Sequence, residues 1–573
     1  MAILAIALVL VAFRALLPTG VFWISDAGNK FIEVQNFIAG KYRHIAVAYM
    51  GANIDPAFRW FPTGGEHFRR LGSGFFSIVP FQFPLINAPL YDAFGAGGLT
   101  IIPLAAGIGI LLLVPPLIRR IDARLNASLA TFLVAFATPI AFYSLDFWEH
   151  TAATFFATLA VLVLLRNASP RDAPRGQELS LPIGSGQAFL AGIAMGLSIA
   201  MREEGYIFLV AVIGGVLGPR RIRPVAAFFV GTATVITPLL AAQHQIYGSV
   251  LGLHLLAHTA PETLAARLMR IAHNYAYFLF QMHERPGVAV LLALPTIVAI
   301  IIGSSRRATS AARLAGVASI LVASVIALIA VGGDRDPIVN TIWTQGLLLF
   351  VPLLSFFLVS WRRLCARSDA AGLLSRVVVI YTVAMPLVLR ANWTGIVWGP
   401  RYFLTVLPLA TILSLLAAKE LHDSAGRARR LAVLLTAATM AVSIAFEIHG
   451  LSLLHRKLVA TAELARLLRR EPAVLVTDVF WLPEEMAQLF FEKTVLMPPN
   501  EPELVTAIAA LRAHGVTEFS YVTSARYHWS DPRAFQLLSR LAVRRVRYAS
   551  PDVPLLSVDI IRCQLSAAQG ELR

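Results

Sequence analysis

Long apolar runs separated by short polar connections dominate the chain from its N-terminus to about residue 450. A helix that crosses the hydrocarbon core of a membrane needs about 20 mostly apolar residues. The pattern predicts an all-α polytopic membrane protein of about 13 transmembrane helices. They lie near residues 3–24, 97–118, 127–143, 149–166, 185–201, 206–219, 224–242, 287–304, 313–331, 340–360, 376–390, 402–418 and 430–448.

The first apolar run has two interpretations. A secretory signal peptide is also apolar, but it begins with basic residues and ends in a small-residue cleavage site. The run from Met1 to Gly20 has neither feature, and its apolar character continues into Phe22, Trp23 and Ile24. We therefore interpret the run as the first membrane span.

Two long segments do not have the character of spans. Residues 25–96 combine amphipathic pieces with turn signals and end in an apolar stretch interrupted by Pro80, Pro84 and Pro89. This stretch predicts a broken helix at the membrane interface. Residues 243–286 carry Arg and His on one helical face and Leu, Ile, Tyr and Phe on the other, which predicts a helix lying on the membrane.

The pattern changes after about residue 450. Strand-like stretches ("AVLVTDV", "TVLMP", "TEFSYVT") alternate with helix-like ones ("LVATAELARLLRR", "LPEEMAQLFFE", "EPELVTAIAALRAHG"). Such alternation is typical of a small α/β fold. We therefore predict a transmembrane domain over residues 1–450 and an extramembrane α/β domain over residues 451–573.

Charge orients the predicted spans. The chain is 57% hydrophobic and 14% charged, with a mean hydropathy of +0.69 and a net charge of +16. The basic residues cluster in alternate connections, which the positive-inside rule places in the cytoplasm. The two long segments and the C-terminal domain then lie outside, in the periplasm if the membrane is a bacterial inner membrane. Anionic headgroups explain the basic clusters, so we expect no nucleic-acid partner. Cys365 and Cys563 fall on opposite sides, and no disulfide is predicted.

The outward connections bring acids and arginines to one face of the membrane. Charged groups at membrane depth are costly, which makes them functional candidates. A cavity lined by carboxylates and arginines could accept a proton and hold an anionic group such as a phosphate. The candidates are Asp26, Lys30, Asp146, Glu149, His150, Arg202, Glu203, Glu204, Asp334, Asp336, Arg390 and Arg401.

Each candidate also has a purely structural explanation. Ser25 or Asp26 could cap the helix that follows. A functional site is favoured because such explanations would have to hold separately in every connection. The other structural explanations are capping or a solvated edge for Asp146 and Glu149, which are three residues apart and share a helical face, a local ion pair for Arg202 and Glu203, and a snorkelling side chain for Arg401.

Several stretches resemble segments of the GT-C superfamily of membrane glycosyltransferases. This class includes protein O-mannosyltransferases and the lipid A aminoarabinose and galacturonic acid transferases. A long first span that ends in an aspartate, "SDAGNKFIEVQNFIAGKY", is similar to the start of these enzymes, and "FYSLDFWEH" resembles their second acidic loop. Other recurring segments are similar to "AMRE", "WGPRYFLTVLPLA" and the start of the C-terminal domain, "VLVTDVFWLP".

The resemblance implies a reaction. Members pass a sugar with inversion from a polyprenyl-phosphate carrier to an acceptor hydroxyl on a glycan, lipid or protein, at the outer face and among membrane lipids. Asp26 would be the general base and Asp146 its companion, orienting the acceptor or a metal. The arginines would meet the carrier phosphate. The implied substrate-binding residues are Lys30, Glu149, His150, Arg202, Glu203 and Arg401.

One departure and two rival functions remain. Ser25 stands where some members have a second acid, so a metal is less supported; Glu66 and His67 are the residues that could hold a divalent cation. No other cofactor is expected.

A transporter or flippase of a lipid-linked or envelope component also needs many spans, but we find no internal repeat, and the polar groups lie at the outer edge. A non-catalytic assembly protein is the third possibility.

Overall fold

The computed structural model describes ten stretches of the chain. Most of the described chain is helical, with one two-stranded hairpin and one five-stranded sheet. The stretches are residues 2–62, 67–167, 183–217, 222–257, 262–279, 286–305, 307–333, 336–389, 395–524 and 532–565.

The N-terminal part contains a hairpin that the apolar pattern did not predict. Phe68 pairs with Ser77 across it, and the sequence "LGSG" forms the turn. The expected broken helix at the membrane interface is therefore wrong for residues 75–77, which belong to the hairpin. Residues 82–94 form one helix, which accepts Pro84 because the N–H groups of its first turn have no helical acceptor. The elements are α1 Ala2–Leu16, α2 Ser25–Ala39, β1 Phe68–Leu71, β2 Gly74–Ser77 and α3 Gln82–Phe94.

The middle of the chain is a succession of mostly apolar helices. They are α4 Ile101–Ile121, α5 Ala127–Phe136, α6 Ile140–Leu145, α7 His150–Leu164, α8 Ser185–Met201, α9 Gly205–Val212, α10 Ile222–Tyr247, α11 Gly252–Ala257, α12 Leu264–Phe278, α13 Pro286–Ser304, α14 Ser310–Gly332, α15 Pro337–Thr344, α16 Leu347–Phe350, α17 Ser355–Leu358, α18 Trp361–Cys365, α19 Ala370–Val388, α20 Leu407–Ser424 and α21 Arg429–Arg469.

The structure is that of a multi-pass membrane protein, but it does not confirm thirteen spans. Proline breaks several predicted spans: α1 ends at Leu16, two residues before Pro18, and residues 127–143 divide at Pro139 into α5 and α6. The described residues contain six stretches long and apolar enough to cross a membrane, along with shorter apolar helices. The six are Gln82–Ile121, Ile222–Tyr247, Ser310–Gly332, Ala370–Val388, Arg401–Ser424 and Gly426–Arg469.

Helix α21 joins the membrane part to the C-terminal sheet. The predicted last span, 430–448, and the amphipathic stretch that starts at Leu458 form one helix of 41 residues. Its length of about 60 Å is twice the thickness of a bilayer core. The predicted domain division at residue 450 falls inside α21 and stays a prediction.

The C-terminal part contains the three predicted strands, and two more that the pattern did not indicate complete a mixed sheet. The strand order is β4-β3-β5-β7-β6, with β3 parallel to β4 and β5, and with β7 antiparallel to β5 and β6. The elements are β3 Val474–Thr477, α22 Leu482–Glu485, β4 Thr494–Leu496, α23 Glu501–Ala513, β5 Glu518–Thr523, α24 Pro532–Leu541, β6 Ala542–Tyr548 and β7 Val558–Gln564.

The segment 243–286 contains the predicted amphipathic helix as α12. Leu264 and Met269 are exposed, whereas Asn274 is buried and donates a hydrogen bond to the Leu389 carbonyl at 2.7 Å. An exposed apolar face suits a membrane surface, and its placement there stays a prediction. Residues 258–261 and 280–285 lie outside the described part of this segment.

Candidate active site

Asp26 lies in the first turn of α2, immediately after the apolar N-terminal segment. The capping position is Ile24, and no side chain makes a capping hydrogen bond there. Neither Ser25 nor Asp26 therefore caps α2. The Asp26 side chain keeps 30% of its surface exposed, so its carboxylate can meet a substrate. The positive end of the helix dipole favours this negative charge.

Positive groups surround the Asp26 carboxylate. Burial raises its pKa, but Lys30, His67, Arg401 and His254 more than offset this effect and lower the pKa to about 2. Asp26 is thus ionised at any physiological pH. A carboxylate in this state can stabilise positive charge that develops on a bound sugar and can accept a proton when that charge makes the acceptor hydroxyl acidic.

Glu149 joins two cations from distant parts of the chain. Its carboxylate lies 2.9 Å from the Lys30 ammonium and 2.7 Å from the Arg202 guanidinium. Arg202 also pairs with Glu204, two residues further on. Lys30 is therefore an ion-pair partner of Glu149 rather than of Asp26, although its charge still acts on Asp26. Since these groups are largely buried, the network fixes α2 against the α6–α7 and α8–α9 connections.

Aromatic side chains, among them Trp148 and Tyr143, lie beside this network. The Lys30 ammonium and the Arg401 guanidinium lie 5.5 Å and 5.3 Å from the centre of the Trp148 ring, which are cation–π distances. His150 stacks on Tyr143, with ring centres 4.9 Å apart. Arg401 opens the 3₁₀ turn Arg401–Val406 that precedes α20, and it donates a hydrogen bond to the Tyr402 hydroxyl at 2.9 Å.

Glu203 reaches the same region through His254. The His254 Nδ1 lies 2.9 Å from a Glu203 oxygen. Burial lowers the pKa of His254, but the contact with Glu203 outweighs this and raises it. The His254 charge in turn acts on Asp26. The segment 243–286 thus contributes to the site by one histidine of α11.

The Asp146 carboxylate lies among other residues than the network around Asp26 and Glu149. Its Oδ1 accepts a hydrogen bond from the Trp23 backbone N–H at 3.3 Å, and burial raises its pKa. It lines a cavity of about 10 Å³, room for one water molecule, together with Arg14 and Thr100. The backbone of Asp146 is extended and α7 begins only at His150, so the shared helical face with Glu149 is wrong. The contacts do not join Asp146 to Asp26.

His67 links Asp26 to the C-terminal part of the chain. Its Nε2 lies 3.5 Å from the Asp26 Oδ1, and its Nδ1 lies 2.8 Å and 2.9 Å from the two Glu484 oxygens. Glu484 belongs to α22 and is nearly fully buried. The sequence singled out His67 only as a cation ligand, and it gave no sign of Glu484.

Metal binding stays an untested alternative. Glu66, one of the two proposed ligands, lies outside the described residues, as do Asp334 and Arg390. Both ring nitrogens of His67 lie near carboxylates, Nδ1 near Glu484 and Nε2 near Asp26. Within the described residues, no three His, Cys, Asp or Glu side chains are grouped as a metal site requires.

Glu33 is a second, deeply buried carboxyl on α2. Burial raises its pKa to about 8, although Ser77 and Lys30 act to lower it. A folded-state pKa above the ordinary 4.5 means that the stability linked to Glu33 is complete below about pH 4.5 and is lost as the pH rises through about 8. We expect Glu33→Gln to unfold roughly 2–4 °C higher than the wild type at pH 9, with a smaller difference at pH 5, in thermal unfolding of the purified protein.

The exposed Glu492, which forms a surface ion pair with Arg469, provides the control for this measurement. Glu492→Gln should leave the unfolding temperature close to that of the wild type at every pH. A difference in unfolding temperature between Glu33→Gln and the wild type that stays constant from pH 5 to pH 9 would contradict the raised pKa of Glu33.

This chain resembles known proteins in its structure. No protein-family model and no curated protein matches the chain. ArnT from Cupriavidus metallidurans in the apo state aligns over 98% of this chain and 97% of that chain, with 12% identity and a TM-score of 0.52. The same protein bound to undecaprenyl phosphate aligns over 99% and 98%, with 12% identity and a TM-score of 0.49. The archaeal oligosaccharyltransferase AglB from Archaeoglobus fulgidus, in complex with an inhibitory peptide and a dolichol-phosphate, aligns over 99% and 76%, with 16% identity and a TM-score of 0.48.

The likeness to ArnT, a GT-C protein, extends over nearly the whole of both chains. This chain is therefore a multi-pass membrane protein with the GT-C fold, and the resemblance seen in its sequence is confirmed at that level. A shared fold at 12% identity does not establish a shared reaction.

Proposed function

We propose that the protein is an inverting glycosyltransferase that takes its sugar from a polyprenyl-phosphate donor. The observation that carries the proposal is Asp26: an ionised, partly exposed carboxylate at the end of the N-terminal apolar segment, surrounded by positive groups, on a GT-C fold. This is the position at which the sequence resemblance implies the catalytic base. The contacts of Lys30, Glu149 and Arg202 support a preorganised site around it.

In the proposed reaction the acceptor oxygen attacks the anomeric carbon from the face opposite the phosphate. The bond between this carbon and the phosphate oxygen breaks, and polyprenyl phosphate leaves with the electron pair. Asp26 accepts the proton of the acceptor hydroxyl as the new glycosidic bond forms. Its negative charge also stabilises the oxocarbenium character of the sugar in the transition state.

The carrier phosphate is proposed to bind at Arg401. This guanidinium is buried, lies against the rings of Trp148 and Tyr402, and acts electrostatically on Asp26. Arg202 is a weaker candidate than the sequence suggested. It already donates to Glu149 and Glu204, and a phosphate would have to displace one of these carboxylates.

The proposed setting is a bacterial inner membrane, with Asp26 and the C-terminal domain on the periplasmic side. The acceptor is a hydroxyl on a glycan, lipid or protein of the cell envelope. The charged and aromatic side chains at the site suit a hydroxylated sugar ring without selecting a hexose or a pentose.

The proposal is tested by measuring the lipid-linked sugars in a strain that lacks this protein. We expect one polyprenyl-phosphate sugar to accumulate several-fold, as measured by mass spectrometry of extracted lipids, because its consumer is absent. The accumulated donor, incubated with the purified protein in vesicles together with an envelope extract of the deletion strain as the source of acceptor, should lose its sugar. An unchanged lipid profile together with no turnover of any polyprenyl-phosphate sugar would refute a transferase. Accumulation without turnover by the purified protein would favour a flippase.

A further inference from the structure

Residues 396–400 form the irregular loop that leads into Arg401, and neighbouring side chains hold the backbone of this loop. The Val397 N–H donates a hydrogen bond to the Thr341 hydroxyl of α15 at 2.9 Å. At the next residue the backbone carbonyl accepts a hydrogen bond from the Tyr143 hydroxyl of α6 at 2.8 Å. The loop is therefore attached to two different helices just before the chain reaches the residue proposed to bind the phosphate.

A carboxyl group of α21, that of Glu447, joins the same loop to α6. One of its oxygens accepts a hydrogen bond from the Trp398 indole N–H at 3.3 Å, and the other accepts from the Phe142 backbone N–H at 2.8 Å. Phe142 lies in the first turn of α6, where N–H groups have no acceptor within the helix. Glu447 is completely buried. A carboxyl group buried in a multi-pass membrane protein is costly, which makes it a functional candidate.

The Trp398 ring fits closely against α21. It is fully buried, and a Cβ added to Gly450 would lie 2.1 Å from two atoms of the ring. Gly450 follows Glu447 by three residues, so the two lie on one face of α21. Phe350 packs on the ring nearly at right angles, with ring centres 5.4 Å apart. Packing thus confines the indole, and the hydrogen bond to Glu447 fixes the direction of its N–H.

We propose that Glu447 is a positioning residue, which holds Trp398 and thereby sets the place of Arg401 for the phosphate of the donor. This inference rests on the proposed function. The Arg401 backbone N–H donates to the Gly399 carbonyl at 2.9 Å, so the loop and the start of the 3₁₀ turn are hydrogen-bonded together. A guanidinium binds phosphate through N–H groups of fixed geometry. A shift of the loop by about 1 Å would therefore remove much of its contribution.

The second hydrogen bond of Glu447 acts on the aromatic partner of Arg401. Helix α6, which this bond holds, ends at Leu145, and the chain continues to Trp148. The Trp148 ring is the one that lies 5.3 Å from the guanidinium of Arg401. One buried carboxyl group thus holds both the loop that carries the cation and the helix that precedes its aromatic partner. Loss of either hydrogen bond would move the guanidinium relative to that ring.

The test is equilibrium binding of radiolabelled undecaprenyl phosphate to the purified full-length protein in lipid nanodiscs. Glu447→Gln should weaken binding about tenfold. Glutamine offers one oxygen and one NH₂ group, so one of the two N–H groups would face another donor. Arg401→Gln should weaken binding by at least as much. The double variant should bind no more weakly than Arg401→Gln, because Glu447 acts through Arg401.

Two further variants separate positioning from general stability. Thr439→Val removes a buried hydroxyl of α21 whose hydrogen bond stays within the helix, and it should bind as the wild type does. Trp398→Phe removes the indole N–H and should weaken binding as Glu447→Gln does. If Glu447→Gln cannot be purified folded, wild-type binding by Trp398→Phe decides against the inference.

The possible results distinguish this inference from the proposed function. Wild-type binding by Glu447→Gln, beside weakened binding by Arg401→Gln, would overturn the inference and leave the transferase standing. An equal further loss when Glu447→Gln is added to Arg401→Gln would also overturn it, because a purely structural residue acts in both backgrounds. Wild-type binding by Arg401→Gln would remove the phosphate assignment together with this inference, whereas the deletion strain decides on the transferase itself.

Discussion

Asp26→Asn is expected to lose sugar transfer by about a thousandfold or more, while the protein folds and inserts normally. Asparagine has the size of aspartate but cannot accept the hydroxyl proton or offer a negative charge to the developing oxocarbenium centre. The fold should tolerate the change because Asp26 is partly exposed and caps no helix. The measurement is turnover of a polyprenyl-phosphate sugar by equal amounts of purified wild type and variant.

Asp92→Asn is the matched control for this experiment. Asp92 is an exposed acid on α3, within the same 25–96 segment, and it should retain wild-type turnover. A folded Asp26→Asn protein with more than a tenth of wild-type turnover would eliminate Asp26 as the base. Donor binding should persist in Asp26→Asn, because the phosphate is assigned to Arg401 and not to the carboxylate.

Gly28→Ala is expected to lower the unfolding temperature and sugar transfer more than any other single methyl group added near the site. The new Cβ would lie 1.8 Å from the Glu484 carbonyl oxygen and 2.7 Å from its carbonyl carbon. Backbone atoms cannot rotate away as a flexible side chain can, so α2 and α22 must separate. Overpacking of this kind costs about 1–3 kcal/mol or more. We expect a clearly lower unfolding temperature and a loss of transfer, measured on the purified variant.

Gly97→Ala gives the comparison for that prediction. It adds the same methyl group within the same N-terminal part of the chain, but no heavy atom lies within 4 Å of the new Cβ. Its unfolding temperature and turnover should equal those of the wild type. A Gly28→Ala protein as stable and as active as Gly97→Ala would show that α22 does not press on α2.

The part of the site that comes from membrane connections was predictable for a physical reason. Apolar runs and the positive-inside bias determine which connections share one side, so charged residues in those connections tend to meet. Glu149 and Arg202 illustrate this: they are 53 residues apart, yet α7 and α8 pack as neighbours and bring them to hydrogen-bonding distance. Lys30 joins them because it lies one turn after Asp26 on α2.

Other features depend on information that sequence patterns do not carry. The direction of Asp146 follows from an extended backbone at the end of α6, and the same residue type one position into α7 would point elsewhere. Glu484 is 417 residues from His67 and belongs to a helix of four residues. No periodicity could relate the two. Proline-broken helices also cannot be distinguished by apolar content from continuous ones, which is why thirteen runs did not become thirteen long helices.

The unbroken course of α21 has a rotational consequence. Each residue in an α-helix turns the chain by about 100°, so a single inserted or deleted residue between the membrane and Lys457 would swing everything beyond it around the helix axis. Lys457 would then leave the Phe22 carbonyl and Glu485, and Glu484 would turn away from His67. The length of α21 therefore determines the rotational orientation of the sheet relative to the apolar helices.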